Sequence, residues 1–256
     1  MRAFSNFYFP LALSAFAVDS FQPFSFCFSG FPILNAPFPI YRCAKRTLDI
    51  VLCATALLVL LPLFIPLIVI LRLSGEGEVF YRQERVGYRG RRFGLLKFAT
   101  MLKNSPNIGT GTITTKNDAR VLPVGGFLRK TKLNELPQLL NVLKGDMSII
   151  GPRPLTSNHF DYYSEGVKEI IGHVPPGLSG VGSIVFRDEE SLLAKSHKPL
   201  TQCYAEDIAP CKGRLEVWYV EHRSFWLDLK LIFITVWVIA FPRSTIYGRW
   251  LKGLPR

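Results

Sequence analysis

The chain has 256 residues, and 31 Lys and Arg against 19 Asp and Glu give a formal net charge of +12. With 48% hydrophobic residues it is too apolar for a disordered polyelectrolyte; being also basic, it suits a membrane surface or a phosphorylated ligand. Cys27, Cys43, Cys53, Cys203 and Cys211 form no C-x-x-C pair, which argues against a zinc site or a disulfide framework and fits a reducing compartment.

Residues 1–41 are rich in Phe, Pro and Ser and carry only Arg2 and Asp19 as charges. Pro10 and the repeated Phe-Pro pairs spoil the apolar region of a signal peptide, so this segment reads as an extension without assigned function. Arg42, Lys45 and Arg46 then precede Ile50–Leu71, a run of 22 residues without a charge. At about 1.5 Å per residue it is about 33 Å long, enough for a bilayer core of about 30 Å. Pro62 and Pro66 lie inside the run and favour a break. Cations stand at both ends, with Arg72 closing the run. A helix that turns back would keep both ends on the cytoplasmic side, and an ordinary spanning helix is equally compatible.

Beyond Arg72 the composition becomes that of a soluble domain. Val79–Tyr81 is a strand candidate, and Arg82 to Arg92 holds five arginines. Asn104–Asn117 reads as a loop, Leu133–Leu143 as a helix with Pro137 in its first turn, and Gly151-Pro152-Arg153-Pro154 as an irregular loop. Phe160–Ile171 is helical in pattern and ends at Pro175-Pro176-Gly177. Trp218–Phe241 mixes aromatic, basic and apolar residues, as an amphipathic interfacial helix or a core helix would. The expected fold is α+β and mostly helical. An extension (1–41), a basic cluster with a membrane helix (42–73), a cytosolic domain (74–240) and a basic tail (241–256) follow one another.

Three segments could handle phosphate. The first ends in Lys97. The second, from Arg129 to Leu139, sets Arg129, Lys130 and Lys132 before Glu135 at a helix start, where free amides and the dipole favour an anion. In the third, Arg153 is held between Pro152 and Pro154, and its planar fork matches phosphate oxygens. Singly, each also reads as a solvated charged face.

In order they are more specific. Tyr81-Arg82-Gln83-Glu84-Arg85-Val86-Gly87, Lys97-Phe98-Ala99-Thr100-Met101 and Leu128-Arg129-Lys130-Thr131 are followed by Leu133-Asn134-Glu135-Leu136-Pro137-Gln138-Leu139. Then come Asn141-Val142-Leu143-Lys144-Gly145-Asp146-Met147-Ser148, Gly151-Pro152-Arg153-Pro154, Pro176-Gly177-Leu178-Ser179-Gly180 and Leu227-Asp228-Leu229-Lys230. This series resembles the bacterial sugar transferases, the monotopic polyprenyl-phosphate phosphoglycosyl transferases, over about residues 42–240. The resemblance implies transfer of a sugar phosphate from a UDP-sugar to undecaprenyl phosphate with release of UMP, at the cytoplasmic face of the bacterial inner membrane. It also implies a re-entrant membrane helix, a magnesium ion, and an Asp-Glu pair whose Asp attacks the donor phosphate. Lys97, Arg129 and Arg153, flanked by Pro152 and Pro154, match the family's phosphate-binding positions. Arg46 and Asp49 match the start of its membrane helix, where a structural or lipid-headgroup role is expected.

The chain departs from the family pattern at the nucleophile, where Asn134 stands in place of Asp while Glu135 is retained. A carboxamide has no anionic oxygen, so three routes stay open: attack by Glu135, attack by another carboxylate such as Asp146, or direct transfer. Glu135 is the favoured nucleophile, with Glu135 and Asp146 as candidate metal ligands. Ala99 and Val181-Gly182-Ser183 also differ from the family pattern, the latter in a region expected to touch nucleotide or sugar. A catalytically impaired homologue that binds donor and membrane is the alternative. A nucleic-acid binder is disfavoured because no such module and few stacking aromatics accompany the arginines. A transporter is disfavoured by the single long apolar run.

Overall fold

The computed structural model describes residues 39–108, 118–241, 244–251 and 253–255. The extension before residue 39 and most of the expected 104–117 loop lie outside them. Helix α1 (Pro39–Leu73) is one continuous helix of 35 residues that passes through Pro62 and Pro66. The prolines cost two amide donors, but in apolar surroundings a broken helix would leave still more backbone groups unpaired.

One face of α1 rests on the rest of the protein along most of its length. Cys53, Ala56, Leu57 and Leu60 meet Leu95, Leu139 and Val142. Leu63, Phe64, Leu67 and Leu71 meet Phe98 and Leu128. Leu58, Val59, Leu61 and Ile65 on the other face are exposed. At the polar start, Lys45 Nζ and Tyr41 Oη both donate to Asp228 Oδ2, at 2.9 and 2.8 Å. Arg46 donates to the carbonyls of Val142 and Leu143, and Asp49 Oδ1 accepts from the Ile149 amide at 3.1 Å. These bonds give Arg46 and Asp49 structural roles.

Strands β1 (Phe80–Val86) and β2 (Arg92–Phe98) form an antiparallel hairpin pairing Tyr81 with Lys97 and Arg85 with Phe93. The charged run is therefore mostly strand and turn, with Arg89 in the left-handed region at φ 55°. Helix α2 (Pro123–Lys130) begins on a proline suited to a first turn. The expected helix over 133–143 divides: Leu133–Glu135 is a single tight turn, and α3 (Gln138–Lys144) starts after Pro137. Pro137 lacks the donor that would carry the turn into the helix. Gly145, at φ 97°, ends α3, and Arg46 covers its last carbonyls.

Strand β3 (Ser148–Ile150) pairs in parallel with β4 (Gly177–Ser179). Between them lie α4 (Ser157–Phe160) and α5 (Glu165–Gly172), so the expected helix over 160–171 also divides, at Ser164. Helices α6 (Val181–Val185), α7 (Glu189–Lys195), α8 (Leu200–Cys203) and α9 (Ala209–His222) follow. Helix α10 (Phe225–Ala240) starts at Ser224, whose Oγ accepts from the Leu227 amide at 3.2 Å.

The Trp218–Phe241 stretch is thus two helices, and the core expectation holds for one face of them. Leu231, Ile234 and Val238 enter the core with Ile150, Val181 and Tyr219, while Trp226, Phe233 and Val236 are exposed. The expected basic tail is not merely a tail. Helix α11 (Ile246–Trp250) stacks Trp250 on Phe233 at 5.2 Å, and Leu251 is buried in the same core. Among the described residues Cys43, Cys53, Cys203 and Cys211 are free thiols. Among the described residues the architecture is mostly helical with two small sheets, as expected for the α+β class.

Candidate active site

In the β1–β2 register, residues facing one another point to the same side of the hairpin. Tyr81, Gln83 and Arg85 therefore share a face with Lys97, Leu95 and Phe93. Leu95 is buried, so this is the inner face, and it carries Lys97 and Arg85 inward. Arg82, Arg89, Arg91 and Arg92 are exposed, as for an ordinary solvated surface. The arginine run thus contributes one inward group, Arg85.

Glu135 arrives from the turn after α2. Lys132, in the left-handed region at φ 62°, reverses the chain, and its carbonyl accepts from the Glu135 amide. Arg153 arrives from the loop after β3, and its Nη2 lies 3.5 Å from Glu135 Oε1. Burial alone would raise the Glu135 carboxyl, but Arg153, Lys97 and Lys132 outweigh it and hold the group down at about 2. Lys97 shows the opposite balance. Its burial, with Arg85, Arg153 and Arg129 nearby, brings the amine down to about 7 against the pull of Glu135. The structure therefore gathers Lys97, Arg129, Glu135 and Arg153, and adds Arg85. Arg129 also places Nη1 3.6 Å from Met101 Sδ.

The arginine between the prolines is rigidly held. Pro152 O accepts from the Gly177 amide at 2.8 Å, the Gly151 amide donates to Ser179 O at 3.0 Å, and Pro154 O accepts from Arg85 Nη1 at 3.3 Å. A Cβ on Gly177 would stand 2.1 Å from Gly151 N, so only glycine permits this approach. Pro152 and Pro154 are themselves buried; they frame Arg153 rather than offer polar groups.

Asn134 is 7% exposed, and its Oδ1 is buried without a hydrogen-bond partner. Such an oxygen beside Glu135 is an acceptor free to meet a cation or an N–H. Asp146 does not join this group. The seven residues of α3 separate it from Glu135, about 10 Å at 1.5 Å per residue. Its Oδ2 pairs with Lys144 Nζ at 3.1 Å and accepts from Asn141 Nδ2 at 3.3 Å. Among the described residues no three His, Cys, Asp or Glu side chains form a metal cluster. Glu135 and Asn134 Oδ1 suit a magnesium ion that takes its remaining oxygens from water and the donor's phosphates.

Two further groups next to Arg153 went unread in the sequence. Glu216, on α9, accepts the Arg153 amide on Oε1 at 3.3 Å. Lys212, one turn earlier, is buried and paired with Glu189, and its ammonium lies 5.7 Å from the ring centres of Phe186 and Tyr204. A lone carboxylate and a lone lysine on a helix look like surface charges; only the assembled fold turns them inward. Of the departures from the family pattern, Val181 lies in the core.

Residues 40–242 match the bacterial sugar transferase family. The exopolysaccharide production protein ExoY of Rhizobium meliloti (strain 1021) is 32% identical over 221 residues, 81% of this chain and 90% of that one. The UDP-glucose:undecaprenyl-phosphate glucose-1-phosphate transferase of Escherichia coli K12 is 36% identical over 209 residues, 80% of this chain but 42% of that one. For the UDP-N-acetylgalactosamine-undecaprenyl-phosphate N-acetylgalactosaminephosphotransferase of Aeromonas hydrophila the figures are 34% over 204 residues, 78% and 44%. The chain thus spans less than half of these two longer relatives. With the match covering most of its length, the chain belongs to the bacterial sugar transferase family.

Proposed function

We propose that this protein transfers a sugar phosphate from a UDP-sugar to undecaprenyl phosphate, releasing UMP, as the opening step of a surface glycan. The observation that carries the reading is Glu135, held ionised within reach of Arg153, Lys97 and Lys132. Such a nest fits a diphosphate, because cations in a low-dielectric site stabilise charge that builds on transferring phosphoryl oxygens. The names of the Escherichia coli and Aeromonas relatives specify UDP-sugars and undecaprenyl phosphate.

Lys97, Arg85, Arg129 and Arg153 hold the donor's phosphates. A Glu135 carboxylate oxygen attacks the phosphorus bearing the sugar, and the bond from that phosphorus to the bridging oxygen breaks. The oxygen leaves with UMP. The resulting acyl phosphate is then attacked at the same phosphorus by a phosphate oxygen of undecaprenyl phosphate, which frees the Glu135 carboxylate. Magnesium, held by Glu135 and Asn134 Oδ1 together with the donor, would neutralise diphosphate charge.

The membrane part of the reading is that α1 is re-entrant in the sense that both its ends stay at the cytoplasmic face of the bacterial inner membrane, without the expected break at Pro62 and Pro66. It is supported by attachment of both ends of α1 to one body, Lys45 to Asp228 and Leu71 to Phe98 and Leu128. The exposed apolar face of α1 would then meet lipid. The test is UMP release from a panel of UDP-sugars by the purified protein with undecaprenyl phosphate. Turnover with one donor supports the reading. Donor binding without UMP release from any of them favours the impaired homologue, a reading that Asn134 in the nucleophile position motivates.

A further inference from the structure

Between Gly151 and Leu155 the backbone has a single N–H, that of Arg153, because Pro152 and Pro154 have none. That donor goes to Glu216 Oε1 at 3.3 Å. Glu216 is 2% exposed, and its Oε2 is buried without a partner. Its carboxylate occupies space that glycine leaves open: a Cβ on Gly182 would stand 2.4 Å from Oε1. In the same loop Ser179 takes the Gly151 amide, and Gly177 and Arg85 take the Pro152 and Pro154 carbonyls. Glu216 therefore holds the backbone N–H of the residue whose guanidinium reaches Glu135.

We propose that Glu216 is a positioning residue for the transfer: by accepting the Arg153 amide it aims the Arg153 guanidinium at Glu135 and at the donor's diphosphate. The inference rests on the transferase reading but concerns a residue that does not itself touch substrate. Groups facing the carboxylate are Lys212 from α9, Arg153 from the loop after β3, and the Tyr163 phenol from the segment between α4 and α5. Burial pushes the Glu216 carboxyl up to about 7, against the Arg153 amide and the Lys212 and Arg153 charges. The charge-assisted bond to Arg153 is thus made above that pH and weakened below it.

The experiment compares Glu216→Gln, Glu216→Leu, Arg153→Ala and the Glu216→Leu/Arg153→Ala pair with the wild type. Turnover is followed from pH 5 to 9, UDP binding in parallel, and folding by far-UV circular dichroism. Glu216→Leu removes the acceptor and should lower turnover roughly 10- to 100-fold, the scale of a lost bond to a charged group. On the Arg153→Ala background it should cost little more, because both act through one guanidinium. Glu216→Gln keeps shape and an acceptor, so it should lose less at pH 8 while its fall in activity below about pH 7 flattens.

A folded Glu216→Gln with the wild-type acid limb, or losses that add across the pair, would overturn the proposal. Should Glu216→Leu not fold, the Gln profile decides. Absence of UMP release from the wild type with every donor counts against the transferase reading instead. In that event UDP affinity decides the proposal: an effect of Glu216→Leu that Arg153→Ala removes supports it, and independent effects overturn it.

Discussion

Arg153 Nη2 lies 3.5 Å from Glu135 Oε1, although the turn after α2 and the loop after β3 are separated by the whole of α3. This pairing keeps Glu135 ionised while leaving its other oxygen unbonded to Arg153. Replacing it should therefore remove the nucleophile without removing the cations. Glu135→Gln should lower UMP release by about 10³-fold or more, as loss of a covalent nucleophile does, and leave UDP binding in place. Mass spectrometry of wild-type protein quenched with donor alone should place a phosphosugar on Glu135. An adduct elsewhere, or robust turnover by Glu135→Gln, would refute the role.

Asn134 bears on the same chemistry from the other side. Its orphaned Oδ1 is where an aspartate would add a second carboxylate beside five cations. Asn134→Ala should retain some activity, because residue 134 supplies no nucleophile. Asn134→Asp should lower the magnesium concentration needed for half-maximal turnover, since a carboxylate binds magnesium more strongly than an amide oxygen. Titrating turnover against magnesium for the three proteins is the check, and identical curves for wild type and Asn134→Asp would count against Asn134 as a ligand position.

The Lys97 amine, brought down to about 7 by burial and by Arg85, Arg153 and Arg129, is a cation below that pH and increasingly neutral above it. Its contribution to holding the donor is therefore lost as pH rises. kcat/KM, which reports the free enzyme, should fall on the alkaline side of about pH 7 in the wild type. Lys97→Arg keeps its charge throughout and should move that alkaline limb upward. Coincident alkaline limbs for the two proteins would place the titration elsewhere.

The site was legible in the sequence as far as motifs carry positions. Lys97 comes from the end of β2 and Arg129 from the last turn of α2, while Glu135 and Arg153 stand in turns beside Pro137 and between Pro152 and Pro154. Asp146 shared a motif with them and still fell outside, since α3 places a helix length between it and Glu135. Arg85 was hidden among five arginines, and only the hairpin register shows which of them turns inward. Glu216 and Lys212 carry no local signal at all, because long-range packing of α9 decides their burial. The uninterrupted α1 has the same origin: proline spacing suggests a break, whereas apolar surroundings favour continuity.

Asp228 ties the start of α1 to the protein. It is 1% exposed and accepts from Tyr41 and Lys45 on Oδ2 and from Tyr219 Oη on Oδ1 at 2.7 Å. Removing it takes the charged acceptor from the Lys45 ammonium and the Tyr41 phenol and leaves the Tyr219 phenol its longer bond to Ile150 O at 3.3 Å. Asp228→Ala should destabilise by about 3–5 kcal/mol, the usual cost of breaking a buried pair on one side. Denaturant titration in detergent, read by tryptophan fluorescence, is the measurement. Asp228→Asn, which can still accept hydrogen bonds, should lose less. Equal midpoints for wild type and Asp228→Ala would show that the cluster does not anchor α1.

The topology of α1 is open to a direct test with a thiol the chain already has. Cys43 is exposed near the helix start, and Ser74 follows the helix end at Leu73. With Cys27 and Cys211 replaced by Ser, and Cys53 and Cys203 protected by burial, Cys43 can be compared with an introduced Ser74→Cys. A helix of 35 residues is about 52 Å long at 1.5 Å per residue, more than enough to put its ends on opposite faces if it stood upright. Its attachment at Asp228, and at Phe98 and Leu128, instead keeps both ends with one body, which a bilayer cannot divide. An impermeant maleimide added to right-side-out spheroplasts should leave both thiols unlabelled, and added to inverted vesicles should label both. Labelling of the two positions from opposite sides would establish a spanning helix and overturn the re-entrant reading.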